Sequence, residues 1–189
     1  MSIYSRSGDN GKTDLFPWGR ISKTDQRIEV LGNLDELNSW LGILRAQPLD
    51  RTLDTQLETF QNVIFRISAE LSCPLPAQMG SLERLQETEI AQLETLIDDL
   101  ESKLPPLRHF VTFQGPEPAA FSQLARAVCR RAERSAWRLA QTGMPETSTE
   151  DAPVRVSPEI LRWLNRFSDF LFTLGRAFSE KIIEVPPND

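Results

Sequence analysis

From Leu34 onward the apolar residues recur at steps of three and four almost without a break. A chain with that period buries them as amphipathic helices packed on one another. The interruptions fall where proline and glycine punctuate the sequence, and the spacing predicts five helices, over 34–46, 52–71, 82–104, 118–141 and 158–181. The last is the plainest. Ser157 suits an N-cap, Pro158 suits the first helical position, and Ile160, Trp163, Leu164, Phe167, Phe170, Leu171, Leu174 and Phe178 follow at helical spacing. Helices of about twenty residues are each ~30 Å long, which favours lengthwise packing. The expected fold is therefore all-α: an antiparallel five-helix bundle over 34–182, preceded by an irregular N-terminal arm over 1–33, the two forming a single domain. Gly8, Gly11, Pro17 and Gly19 break the arm. The stretches 73–81 and 142–157 read as loops, the second long enough to be either a mobile connection or a functional flap.

The 189 residues carry a formal net charge of −6, which argues against a nucleic-acid partner. No apolar run reaches the length of a membrane span and no secretory signal opens the chain, so a cytoplasmic location is expected. Cys73 and Cys129 have neither CxxC spacing nor histidine neighbours, so no disulfide framework or zinc site is expected. His109 is the only histidine and follows Pro105 and Pro106 closely, where a loop or surface role is expected rather than a triad.

Two regions carry residues suited to anion chemistry. Ser5-Arg6-Ser7-Gly8-Asp9-Asn10-Gly11-Lys12-Thr13 combines glycines, hydroxyls and cations, the makings of a phosphate cradle or of an ordinary polar turn. It is not a Walker A loop, because Arg6 stands where that motif needs glycine and no strand-loop-helix context surrounds it. On the fourth helix Phe121, Leu124, Ala125, Val128, Ala132 and Leu139 form the apolar stripe. Arg126, Arg130, Glu133 and Trp137 line a second face, and Arg131, Arg134 and Arg138 a third. Such a helix is either a solvated charged face or a surface that meets a partner. On the fifth helix Asn165, Asp169, Phe172 and Arg176 share one side, and an interior Asn needs a partner for its amide. Asp35 and Glu36 open the first helix, where acids suit the helix dipole.

In order along the chain, these segments resemble the PduO-type ATP:corrinoid adenosyltransferases. IYSRSGDNGKT resembles the family's IYTRTGDxGxT, Gly19-Arg20-Ile21-Ser22-Lys23 its GxRVxK, and Leu34-Asp35-Glu36-Leu37-Asn38-Ser39 its LDELNS. The run from Ala125 to Arg134 resembles ARxxCRRAER, and that from Leu164 to Phe172 resembles LNRLSDxLF. The resemblance implies a ferritin-like bundle and transfer of the 5′-deoxyadenosyl group of ATP to the cobalt of cob(I)alamin, giving adenosylcobalamin and triphosphate. It also implies a homotrimer whose sites lie between subunits. Ser5, Arg6, Ser7, Gly8, Thr13 and Lys23 would hold the triphosphate, and Arg130, Arg131, Glu133, Arg134 and Asn165 would complete the nucleotide site. Asp35 and Arg126 would pair across the subunit boundary. Mg²⁺ would ride on phosphate oxygens, and a reductase would supply the electron.

Phe110 would be the aromatic wedge that keeps water from the cobalt. The family's FxLPGG here reads Phe110-Val111-Thr112-Phe113-Gln114-Gly115-Pro116, without the Gly-Gly pair, so Phe113 is either a substitute in that role or a core residue. The altered segment leaves room for a second reading, a non-catalytic corrinoid- or nucleotide-binding trimer acting in sensing or cofactor delivery. A structural bundle without ligand is the third.

Overall fold

A computed structural model describes residues 4–16, 18–72, 83–142, 156–179 and 181–185. In chain order the elements are β1 (Lys12–Leu15), β2 (Gly19–Ser22), α1 (Gln26–Arg45), α2 (Arg51–Ser72), α3 (Glu87–Glu101), β3 (Phe110–Gln114), α4 (Glu117–Thr142), α5 (Pro158–Phe178) and β4 (Lys181–Val185). The five expected helices are present among the described residues and dominate the fold. Apart from Thr142, Val156 and Ser157, the expected 73–81 and 142–157 loops lie outside those residues.

Ion pairs give the helix directions. Arg45 of α1 meets Asp54 of α2, so these neighbours run antiparallel. Asn165 of α5 donates to Glu133 of α4 while Arg126 lies over the Phe172 ring, so α4 and α5 are also antiparallel. Arg162–Glu87, Arg166–Glu94 and Arg176–Glu101 climb α5 and α3 together, so these two are parallel neighbours.

Leu34, Leu37, Leu41 and Leu44 of α1, Leu57, Phe60, Ile64 and Ile67 of α2, and the aromatic stripe of α5 make the core. Phe60 sits 6.2, 5.0 and 5.1 Å from Trp163, Phe167 and Phe170, at edge-on angles that suit aromatic quadrupoles. On α4 most of the buried positions are small, among them Ala125, Cys129, Ala132 and Ala136. Small side chains let α1 and α5 approach α4 closely, which matters because α4 carries most of the candidate site.

The structure corrects the expected elements in four places. First, α1 begins at Gln26, inside the stretch read as arm. Asp25 caps it by accepting from the Arg27 backbone N–H, and its carboxylate also takes two bonds from the Arg27 guanidinium, at 2.9 and 2.8 Å. Second, the arm is not irregular throughout, because β1 and β2 form an antiparallel hairpin with Thr13 opposite Ile21. Third, α3 starts at Glu87 through a Gln86–Glu89 capping box and stops at Glu101. Fourth, α5 ends at Phe178, and the chain after it forms β4, antiparallel to β3, with Phe110 opposite Val185. The Ser157 cap stands as expected, its hydroxyl accepting from the Ile160 backbone N–H.

Candidate active site

The arm is a polar loop tied down by one arginine. Arg20 projects from β2, and its guanidinium donates to the Ser7 carbonyl, to Asn10 Oδ1 at 3.3 Å and to the Lys12 carbonyl at 3.4 Å. Those bonds wrap residues 7–12 around a single cation. Arg6 takes a positive φ of 60°, Gly11 one of 77°, and the Gly8 carbonyl accepts from the Gly11 N–H. Lys23 reaches back along the loop: a side chain at position 8 would come within 3.1 Å of its Nζ, so glycine there leaves the space the ammonium occupies. Ser5, Arg6, Ser7 and Lys23 are exposed, and Gly8 and Thr13 half-buried. The hydroxyls of Ser5 and Ser7 share a hydrogen bond of 2.7 Å. The outcome is an open loop bearing the cations Arg6, Lys12 and Lys23 and the hydroxyls of Ser5, Ser7 and Thr13, anchored to the bundle through Trp18. Its Nε1 donates to the Ser72 carbonyl at 2.9 Å, and the Arg27 guanidinium packs over its ring.

The second half of the candidate site lies on the exposed seam between α4 and α5. Arg126 is half-buried. Its Nε donates to Gln123 Oε1 at 2.8 Å and its guanidinium lies 5.7 Å from the Phe172 ring centroid. Burial pushes its pKa below the usual arginine value, Arg130 adds to that, and Asp169 opposes it. Gly175 makes this arrangement possible, since a Cβ there would collide with the Gln123 amide. Arg130 is exposed and makes no hydrogen bond among the described residues. Burial raises the Asp169 carboxyl above the ordinary range, while Arg166 and Arg130 pull it back down. One turn beyond Arg130, Glu133 accepts from the Asn165 amide at 3.2 Å, and Asn165 accepts in turn from Arg166.

Arg131 stands apart from its neighbours. Its guanidinium turns to α1, donating to Asn33 Oδ1 at 2.8 Å and to Glu36, and the Asn33 amide donates onward to Ser135. In the protomer it is a brace between α1 and α4. Arg134 is exposed.

The sequence profile described as cobalamin adenosyltransferase matches residues 3–178, nearly the whole chain. The chain belongs to this family. A corrinoid adenosyltransferase of Mycobacterium leprae is 38% identical over 181 residues, covering 93% of this chain and 90% of the relative. The corrinoid adenosyltransferase PduO of Salmonella typhimurium is 37% identical over 177 residues; the match covers 94% of this chain but only 49% of that protein, so the chain spans about half its length. Among solved structures, a Phe-to-Ala variant of a PduO-type ATP:corrinoid adenosyltransferase from Lactobacillus reuteri, complexed with cobalamin and ATP, superposes with a TM-score of 0.79 at 28% identity, covering 93% of this chain and 92% of that one. An Arg-to-Lys variant from the same organism, complexed with ATP, gives the same TM-score at 27% identity, over 98% and 100% of the two chains.

In this cobalamin adenosyltransferase family member the two halves of the candidate site lie on different elements, the N-terminal arm and the α4–α5 seam. Among the described residues, no hydrogen bond or ion pair of Arg126, Arg130, Glu133, Arg134 or Asn165 reaches the arm. Asp35 is exposed and forms no ion pair among the described residues; it borders a cleft of about 160 Å³ between α1 and α2, beside Asn38 and an exposed Phe65. Phe110, the first residue of β3, is 89% exposed, the highest value among the large apolar side chains described. The Phe113 side chain lies outside the described set.

A cavity of about 740 Å³ opens elsewhere, between α2 and α3. Its floor residues Phe60, Leu93 and Trp163 are almost fully buried, and the hydroxyls of Thr55 and Thr59 on its rim already donate to carbonyls of their own helix.

Arg20 is the residue that the site reading of the sequence missed. Its signal was present, as the arginine of the Gly19–Lys23 motif, but only the hairpin register aims it at the loop.

Proposed function

We propose that this chain transfers the 5′-deoxyadenosyl group of ATP to the cobalt of a reduced cobalamin, releasing triphosphate. One observation carries most of the weight: Arg126 and Arg130 lie on one face of α4, close enough for one to destabilise the charge of the other, with Asp169 as the nearby acid. Like charges four residues apart on a helix repel, and an anion between them removes that cost. Triphosphate is such an anion. Ser5, Arg6, Ser7, Gly8, Thr13 and Lys23 of the arm would grip it from the other side, with Arg134 completing the cluster.

In the reaction the cobalt(I) electron pair forms the Co–C5′ bond while the C5′–O bond breaks, and triphosphate departs with the electron pair of that broken bond. No proton needs to move at the reacting carbon, so the protein supplies orientation and charge neutralisation. The residue set fits, because no described histidine, carboxylate or thiol has to act as a base. Among the described residues no group of three His, Cys, Asp or Glu side chains could hold a metal, so Mg²⁺ is assigned to phosphate oxygens. The exposed Phe110 is assigned to the corrin, where an aromatic face excludes water.

The proposed assembly is a homotrimer, in which the two halves of a site come from neighbouring subunits. The arm of one protomer would complete the α4–α5 seam of its neighbour, with Asp35 of one facing Arg126 of the other. We take the arm and bundle as one domain, with the nucleotide-binding arm ending where Asp25 caps α1. An electron-donating reductase is the expected further partner. Among the described residues no helix is long and apolar enough to cross a membrane, and the cytoplasm, which holds ATP, is the proposed location.

The test is incubation of the purified chain with ATP and chemically reduced cobalamin, followed by absorbance. Appearance of the adenosylcobalamin spectrum supports the enzyme. Binding of both ligands without product would favour the sensing or delivery reading instead, and binding of neither would leave a structural bundle.

A further inference from the structure

We propose that Trp137 is the platform on which the adenine base of ATP stacks, a substrate-positioning residue of this site. The inference rests on the proposed function and extends it, since the groups named so far account for phosphates and not for the base.

At 100° per residue Trp137 lies about 20° around α4 from Arg130 and about 10 Å further along the axis. It is also one turn beyond Glu133, on the same face. The indole is 48% exposed, and it makes neither a ring contact nor a hydrogen bond among the described residues. Packing does not account for it. The residues of α4 that serve the core, Val128, Ala132, Ala136 and Leu139, point elsewhere, and the solvent side carries Arg130 and Arg134. A large aromatic left open among cations is costly in water and well suited to a π-face.

The order of groups along α4 matches the order of parts in a nucleotide. Arg126 and Arg130 offer charge for phosphates. The Glu133–Asn165 pair comes next, and its carboxylate, which repels phosphate, can accept from ribose hydroxyls or from the exocyclic amine of adenine. Trp137 follows with an apolar face of the size of a purine. Glu133 thus divides an anion-binding stretch from a base-binding one.

The experiment measures equilibrium binding of ATP and of inorganic triphosphate, with KM and kcat, for the full chain and for Trp137→Ala, Trp137→Leu and Trp137→Phe. Loss of a base stack should weaken ATP binding about tenfold in the Ala and Leu variants. Triphosphate binding, kcat at saturating ATP and the KM for cobalamin should stay within about twofold, and Phe should restore most of the affinity. Leu keeps apolar bulk without a π-face, so it guards against an Ala variant that fails to fold. Equal weakening of ATP and triphosphate would overturn the proposal in favour of an electrostatic effect. So would unchanged ATP affinity, or trimer dissociation with the affinity of the remaining trimer intact. If the unaltered chain bound no ATP, the functional reading itself would fall, and the stacking role with it.

Discussion

Replacing Asp25 with Ala tests how the N-terminal arm is fixed to the bundle. The Asp25 carboxylate caps α1 and takes two hydrogen bonds from Arg27, a guanidinium whose side chain is only 4% exposed. Among the described residues Asp25 is the only acceptor of the Arg27 guanidinium, whose buried Nη1 already lacks a partner, so no second acceptor is in place to replace the lost acid. The cap alone is worth about 1 kcal/mol. Stranding a buried cation raises the total to about 3–5 kcal/mol, or about 10 °C in Tm for a chain of this size. Because Arg27 packs over Trp18, which anchors the hairpin to Ser72, ATP affinity should fall as well. Thermal and denaturant unfolding followed by circular dichroism measures the loss, and an Asp25→Ala/Arg27→Met double variant should recover most of it by removing the buried charge. The pH dependence gives a second check. Hydrogen bonds from Arg27 hold the Asp25 carboxyl below its ordinary pKa, against the opposing effect of burial. A depressed folded pKa stabilises above the unfolded value and ceases to do so as pH falls through the folded one. The unaltered protein should therefore lose stability on acidification below about pH 4, and Asp25→Ala should lack that component. A loss confined to the cap's ~1 kcal/mol, with the same acid limb in both proteins, would refute the buried-pair account.

Arg130→Ala should lower turnover about a hundredfold or more with unchanged helical content, measured by adenosylcobalamin formation and circular dichroism. Asp35→Asn should weaken the trimer and cut kcat/KM about tenfold, read by sedimentation and kinetics, and unchanged values would remove Asp35 from the subunit boundary. Trp163→Ala should cost about 3–5 kcal/mol, because the indole is fully buried against Phe60 and Phe167, with denaturant unfolding as the measure.

The helical bundle was legible in the sequence because each helix buries one stripe, and a stripe is a local pattern. α5 shows this best: its apolar spacing, Ser157 and Pro158 mark it from end to end except for the final turn, which gives way to the strand pairing that follows. Where reading failed, the cause was an interaction with a distant partner. α1 hid its first turns because two of the three residues buried there, Arg27 and Asn33, are polar; Arg27 is a cation that local pattern assigns to solvent and that Asp25 and Trp18 together make tolerable. β3 and β4 are short, and each becomes a strand only against the other, from opposite sides of two helices.

The candidate site divides along the same line. The sequence by itself determined the chemistry: a glycine- and hydroxyl-bearing arm with cations, an arginine-rich helix, and an Asn and Asp on the helix beside it. It could not sort the arginines, which are chemically identical and adjacent in the chain. Only the rotation of α4 against α1 and α5 turns Arg131 to Asn33 and Glu36, where it braces the bundle, and leaves Arg130 open to an anion. A residue's type sets what it can bind, and the packing of neighbouring helices sets what is within its reach.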